Sequence, residues 1–220
     1  MPRMKSLSFA FGALLLAAPA VAQSAADAAL DRAVKAWANV RTVRASLEQT
    51  VVNPLTGRSV TSRGVVQQRR PAKFAVRFSE PAGDVIVADG TTLWLYLPST
   101  TPGQVIRTTL GKGVAASVDL TEQFLAQPRT KYDVVDAGAE AVDGRPARAL
   151  RLTPKPGQQL PFVRAKVWVD DRDGLVRQFE ATDRNGIARK VKLSNVQVNA
   201  SVKESAFKFT VPKGARVVEQ

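Results

Sequence analysis

Few residues in this sequence could do chemistry, and their types narrow the choice at once. Histidine and cysteine are both absent. That removes imidazole general bases, Ser-His-Asp and Cys-His nucleophiles, zinc sites and disulfides, and also a lipid-modified cysteine anchor. Carboxylates remain, and Asp170, Asp171 and Asp173 stand together before Gly174 between two strand-like runs. The ligand order of an EF-hand loop is missing, so the group reads as a solvated hairpin turn rather than a calcium site. Gly111-Lys112-Gly113 is too short for a phosphate-binding loop and reads as punctuation before a helix. No carboxylates or lysines form a convincing acid–base pair, so an enzyme is the least favoured class, and neither a metal nor a cofactor is expected.

What is left is apolar surface. From Arg69 to Pro98 the sequence first alternates, with Phe74, Val76 and Phe78 on one side and Lys73, Ala75 and Arg77 on the other, the period of a half-buried strand. Val85-Ile86-Val87 follows, Asp89-Gly90 supplies a hairpin turn, and Leu93-Trp94-Leu95-Tyr96-Leu97 is apolar on both faces. An antiparallel sheet normally leaves one face in water. A strand apolar on both faces therefore calls for a second cover, from elsewhere in the chain or from a ligand. Trp94 and Tyr96 read equally well as core and as cavity lining. Arg70, taken alone, reads as a surface residue before a turn.

The elements that must position these residues are mostly strands. Ser24 to Val40 has Ala26, Leu30, Val34, Trp37 and Val40 at helical spacing, with Ser24 as a candidate cap. This helix is expected to pack on the sheet, with Trp37 a candidate for facing a cavity. Thr42–Val52 and Ser59–Arg69 form a long hairpin about Asn53–Gly57, and further strands follow to Thr108. Between Val114 and Gln127 the period lengthens to that of a helix, with Leu120, Phe124 and Leu125 on one side and Pro128 closing it. Strand signals resume at Lys131 and continue to Val198, the last two joined by Asn185-Gly186. The expected fold is mainly β (α+β). It is a single curled antiparallel sheet of about eleven strands with helices gathered on one side. Such a sheet leaves a concavity that few helical residues are available to plug, and that concavity is either a ligand cavity or an interface.

The N-terminal residues carry Arg3 and Lys5, an apolar run from Phe9 to Ala18, and Ala20-Val21-Ala22. This is the pattern of a secretory signal peptide cleaved after Ala22, leaving one domain over residues 23–220. The apolar run is shorter than the roughly 20 residues of a spanning helix. The net charge is +13, but the basic residues are scattered and lack interleaved aromatics. They therefore fit a solvated surface, an anionic membrane or an acidic partner better than nucleic acid.

Read together, Arg70-Pro71-x-x-Phe74, Pro81, Val87-x-Asp89-Gly90-x-x-Leu93-Trp94-x-Tyr96-x-Pro98 and Gln104-Val105 resemble the LolA type of periplasmic lipoprotein carrier. Leu152-Thr153-Pro154-Lys155, Asp173-Gly174 with Gln178-Phe179, and Phe207-x-Phe209-x-x-Pro212-x-Gly214 continue the likeness in order. The resemblance implies an unclosed β-barrel with a helical lid over a hydrophobic cavity. It also implies acyl chains of lipoproteins as cargo, an inner-membrane ABC transporter as donor and an outer-membrane lipoprotein as acceptor. Residue by residue, it implies that Arg70 latches the lid through backbone carbonyls and that Phe74 serves the cavity and the releasing transporter. Val76 stands where the family often has a second aromatic. With them, Trp37, Trp94, Tyr96, Leu120, Phe124 and Leu125 are candidate lipid contacts. The alternatives are a carrier of the same fold for another amphiphile, such as a glycolipid or sterol-like lipid, and an envelope-stress sensor.

Overall fold

The computed structural model describes residues 18–111 and 120–220. Helix α1 (Ala18–Ala38) leads into β1 (Thr42–Asn53), β2 (Arg58–Arg69), β3 (Lys73–Glu80), β4 (Ala82–Asp89), β5 (Thr92–Tyr96) and β6 (Gln104–Thr109). Two short helices follow, α2 (Leu120–Leu125) and α3 (Pro128–Lys131). The remaining strands are β7 (Tyr132–Val142), β8 (Arg145–Pro154), β9 (Arg164–Asp170), β10 (Val176–Thr182) and β11 (Ala188–Val198). A 3-10 turn at Glu204–Phe207 precedes β12 (Arg216–Glu219). All twelve strands join one sheet in the order β12-β6-β5-β4-β3-β2-β1-β11-β10-β9-β8-β7, and its two edge strands are not joined, so the barrel is unclosed. Among the described residues no helix is long and apolar enough to cross a membrane.

The fold has the expected class, and three details differ. A twelfth strand, too short to show periodicity, pairs parallel with β6. Pro128 begins a helical turn instead of closing one, because proline's missing N–H costs nothing in the first turn of a helix. With residues 18–22 present, helix α1 starts upstream of Ser24, so Ser24 does not cap it there; the alanine-rich stretch before it is good helix former. The predicted leader before residue 18, and the part of the predicted central helix over residues 112–119, lie outside the described residues.

Register fixes the two faces, since residues directly paired across antiparallel strands share a face. One row runs Val43, Gln68, Phe74, Ala88, Leu93, Thr108, and the next runs Ala45, Val66, Val76, Ile86, Leu95, Ile106. Both lie on the inner face, the one on which α1 packs. There Leu30, Trp37 and the small Ala26, Ala29 and Ala33 meet Leu150, Leu152, Val167, Val169 and Phe179. The outer face is covered at the other half of the sheet, where Val202, Phe207 and Phe209 pack on Ala75, Val87 and Trp94. The inner face of β3 to β6 is left without helical cover among the described residues, and Ile86, Leu93, Leu95 and Ile106 stay partly exposed.

Close approaches and ion pairs hold the turns. Gly174, at φ +71°, touches α1 so tightly that a Cβ would lie 2.9 Å from the Arg32 carbonyl oxygen. Beside it, the expected solvated turn proves to be an ion-pair network. Asp170 is fully buried and accepts from the guanidiniums of Arg145 and Arg177 and from the Arg172 N–H, and Asp173 accepts from the same two arginines. Asp171 pairs with Arg32 of α1 at 3.1 Å. Both outer carboxylates are thereby engaged by cations of this chain, which accounts for their clustering without a metal. Burial alone would push the Asp170 carboxyl up, but the hydrogen bonds and charge of its arginine neighbours outweigh it and hold it below the ordinary carboxylate value.

Two stability predictions follow from these contacts. Asp170→Asn leaves two arginines without their shared charge and should destabilise by about 3 kcal/mol at pH 7. A carboxylate depressed in the folded state stabilises above its unfolded value of about 4 and loses that contribution as pH falls through its folded value. Urea midpoints measured from pH 7 down to pH 3 should therefore fall less steeply for Asp170→Asn than for wild type. A Cβ on Gly64 would sit 2.3 Å from the Arg77 carbonyl oxygen and 2.9 Å from the Phe78 Cα, whereas Gly111 has open space. Gly64→Ala should cost about 2 kcal/mol by overpacking against backbone, with Gly111→Ala unchanged in the same melts.

Candidate functional site

Arg70 follows β2 directly, and its N–H donates to the Arg41 carbonyl at 2.9 Å. Its guanidinium reaches the end of α1, donating through Nη1 to the carbonyl oxygens of Trp37 at 3.0 Å and Val40 at 3.2 Å. A helix end leaves such carbonyls without intrahelical partners and carries partial negative charge, so it is a natural seat for a cation. The guanidinium also lies over the Trp37 ring, 4.9 Å from its centroid. Its Nη2 donates to Glu122 Oε2 of α2 at 2.5 Å, and Trp37 Nε1 donates to the same oxygen at 3.1 Å. The resemblance implies carbonyls of the lid; the carbonyls Arg70 reaches are instead those at the end of α1, and α2 is reached through the Glu122 carboxylate. Arginine's rigid fork of donors, always charged, suits this mixed set of acceptors.

α2 is held from its other side as well. Tyr132, the first residue of β7, donates its phenolic O–H to the Gln123 carbonyl at 2.8 Å. Burial pushes that phenol up to about 12, so it remains a neutral donor at physiological pH. Phe124 is buried with its ring 5.5 Å from Phe162 and 5.3 Å from Phe179, and Tyr132 stacks on Phe162.

Two chambers lie on the inner face, on either side of this aromatic group. The first is walled by Trp37, Leu47, Val66, Phe74, Val191 and Leu193, with Gln68 and Thr121 as polar members. It encloses about 620 Å³ including space open to solvent, but only about 60 Å³ is free to the centre of a water-sized sphere. That is room for a few waters and too little for an acyl chain as the chamber stands. The second chamber, beyond Phe124 and Phe179, is larger in the same terms, about 810 Å³ and 300 Å³.

The residues singled out from sequence divide accordingly. Trp37 and Phe74 line the first chamber, and Val76 is buried on the same face, packed against Ala45 and Val66. Phe124 walls the second chamber and Leu125 joins the core beneath α1, while the side chain of Leu120 lies outside the described residues. Trp94 and Tyr96 must be corrected. Pairing Val87 with Trp94 and Val85 with Tyr96 puts both on the outer face, where their rings meet Phe209 at 5.6 and 6.2 Å. Trp94 Nε1 is used there as well, donating to Asp89. The strand is apolar on both faces because each face has its own cover, and the aromatics belong to the C-terminal one. Glu122 gave no signal, being a single acid in a short helical segment. Val43, Leu47, Val191 and Leu193 were legible only as the apolar half of an alternation.

Removing the phenolic hydroxyl of Tyr132 should loosen α2 without opening the core. Tyr132→Phe is expected to lower stability by about 1 kcal/mol and to raise amide hydrogen exchange in α2 more than in β8 or β9.

Comparison with known proteins agrees with this architecture. The family model described as outer membrane lipoprotein carrier protein LolA matches residues 38–210. An outer-membrane lipoprotein carrier protein of Leptothrix cholodnii is 29% identical over 226 residues, covering 99% of this chain and 98% of the relative. Among solved structures, an uncharacterised conserved protein of Thermus thermophilus superposes with a TM-score of 0.55 at 17% identity, covering 89% of this chain and 99% of that one. The complex of MucA and MucB from Pseudomonas aeruginosa gives 0.51 at 17%, covering 88% and 63%; at such identity these two likenesses concern the fold alone. With the family model covering most of its length, the chain belongs to the LolA family of lipoprotein carriers, a family of transport chaperones rather than enzymes.

Proposed function

We propose that this protein accepts lipoproteins released from the inner membrane, shields their acyl chains on its inner face and delivers them to an outer-membrane acceptor. On this reading the leader is removed after Ala22 and the mature protein works in the periplasm between an ABC transporter and an acceptor lipoprotein. The observation that carries the proposal is the closed apolar chamber whose short covering helix is fastened by Arg70. α2 is the lid, and the bonds of Arg70 to Glu122, Trp37 and Val40 are the latch. Each charge-assisted bond contributes about 1 to 3 kcal/mol, toward the lower end here because both partners are partly exposed. That is enough to favour the closed, empty form and small enough for cargo to overcome. Phe74, facing the chamber from β3, supports the reading as an acyl contact.

Arg70→Leu should load cargo normally but release it poorly, since closure no longer helps to expel it. In a transfer assay from loaded carrier to acceptor, its rate is expected to fall about tenfold, with melting temperatures compared in parallel. Glu122→Gln, which keeps an acceptor but loses its charge, should lie between the two. The double variant should be no worse than Arg70→Leu alone, because the two side chains act through one interaction. Equal transfer by wild type and Arg70→Leu would reduce Arg70 to a structural residue.

A further inference from the structure

The inner face carries an arginine in a row that is otherwise apolar. Strand pairing aligns Leu152, Ala165, Ala181, Arg189, Val51 and Val60 across β8, β9, β10, β11, β1 and β2. Arg189 forms the exposed end of the second chamber, whose deeper wall is Phe124, Phe162 and Phe179, each at most 5% exposed. Among the described residues its guanidinium makes no hydrogen bond or ion pair. Asp183 also borders the chamber, but its Oδ1 is engaged by the backbone N–H groups of Asn185 at 2.8 Å and Ile187 at 2.9 Å and makes no ion pair with Arg189. The site therefore grades from a dry aromatic end to a solvated, unpaired cation.

Such a gradient matches one kind of molecule. An arginine binds a carboxylate or phosphate best as a two-pronged hydrogen-bonded pair, and the aromatic end favours a hydrocarbon tail. We propose that the second chamber is a binding site for an acyl chain bearing an anionic head, with the tail against Phe124, Phe162 and Phe179 and the head on Arg189. This rests on the reading that the inner face binds acyl chains, and it adds a selection by head-group charge that the first chamber, with no cation among its described lining residues, does not offer. The space of about 300 Å³ already open in the closed form means that the lid need not lift for such a ligand to enter.

Displacement of a fluorescent acyl probe by palmitate, methyl palmitate and lysophosphatidylglycerol, each below its micellar concentration, tests the assignment. Palmitate should displace the probe about tenfold more tightly than its methyl ester. Arg189→Gln should abolish that margin while leaving the ester unchanged, and Arg189→Lys should restore part of it. Ile187→Trp, which fills the chamber mouth, should weaken palmitate by a similar factor. Lysophosphatidylglycerol separates the possible heads: an Arg189-dependent margin like that of palmitate assigns a phosphodiester as well as a carboxylate, and its absence restricts the site to carboxylates. A margin for palmitate that is equal in wild type and Arg189→Gln, or an Ile187→Trp variant that binds like wild type, overturns this inference alone. Folded wild type that binds neither acid nor ester overturns the carrier reading itself.

Discussion

An antiparallel sheet with apolar side chains on both faces must be covered on both, and among the described residues there is too little helix to cover even one. Its solution is to divide the work. α1 and α2 cover the inner face at β7 to β10, and the segment from Val202 to Phe209 covers the outer face at β3 to β5. The remainder left without cover by the described residues is the inner face of β3 to β6, a surface of Phe74, Phe78, Ile86, Leu93, Leu95 and Ile106. Apolar area left exposed to water is a standing attraction for hydrocarbon. On the proposed reading, the carrier's binding surface arises from a shortage of cover, without any special group.

The energetics of acyl transfer favour a modest device over a tight pocket. Withdrawing a sixteen-carbon chain from a bilayer costs about 12 kcal/mol at about 0.8 kcal/mol per methylene. Two or three chains would exceed the roughly 18 to 21 kcal/mol that noncovalent binding reaches. A soluble protein cannot hold such cargo by affinity alone against the membrane, and it must also let go. A closed state with only about 60 Å³ free in its first chamber meets both demands if the aromatic lid can move. On the proposed reading, loading would displace Trp37 and α2 from their contacts with Arg70, and the re-formation of those contacts would assist release.

Much of this was legible from sequence, for reasons that differ by residue. Phe74 and Val76 could be read because strict alternation fixes a face once one neighbour is placed. Trp94 and Tyr96 could not, because Leu93 to Leu97 is apolar at every position and periodicity then cannot say which side is the chamber. Only the pairing with Val85 and Val87, and the return of Phe209 from far along the chain, decides it. Arg70 was found only through the resemblance of Arg70-Pro71-x-x-Phe74 to the family's motif, whereas Glu122 was not found, since a long-range ion pair has no local signature. Asp170 failed differently. A turn rich in aspartates looks solvated until Arg145 and Arg177 arrive from neighbouring strands.

Those long-range pairings also link the two covers. Arg69 and Arg70 are adjacent at the end of β2, and successive residues of a strand point to opposite faces. Arg69 therefore turns outward. It donates to Glu204 at 2.5 Å and to the Val202 carbonyl, and lies 5.4 Å from the Phe207 ring. Lys73, across the turn, joins it on Glu204. Arg70 turns inward to the end of α1 and to Glu122. Two consecutive guanidiniums thus fasten the C-terminal cover on one face and the helical cover on the other. The outer set involves Glu204, whose carboxyl is held below its usual value chiefly by the Lys73 ammonium, and packs against a buried Phe207. The inner set ends on the short helix α2. On the proposed reading, Arg69 holds the strand end from which Arg70 would recapture α2 after each opening.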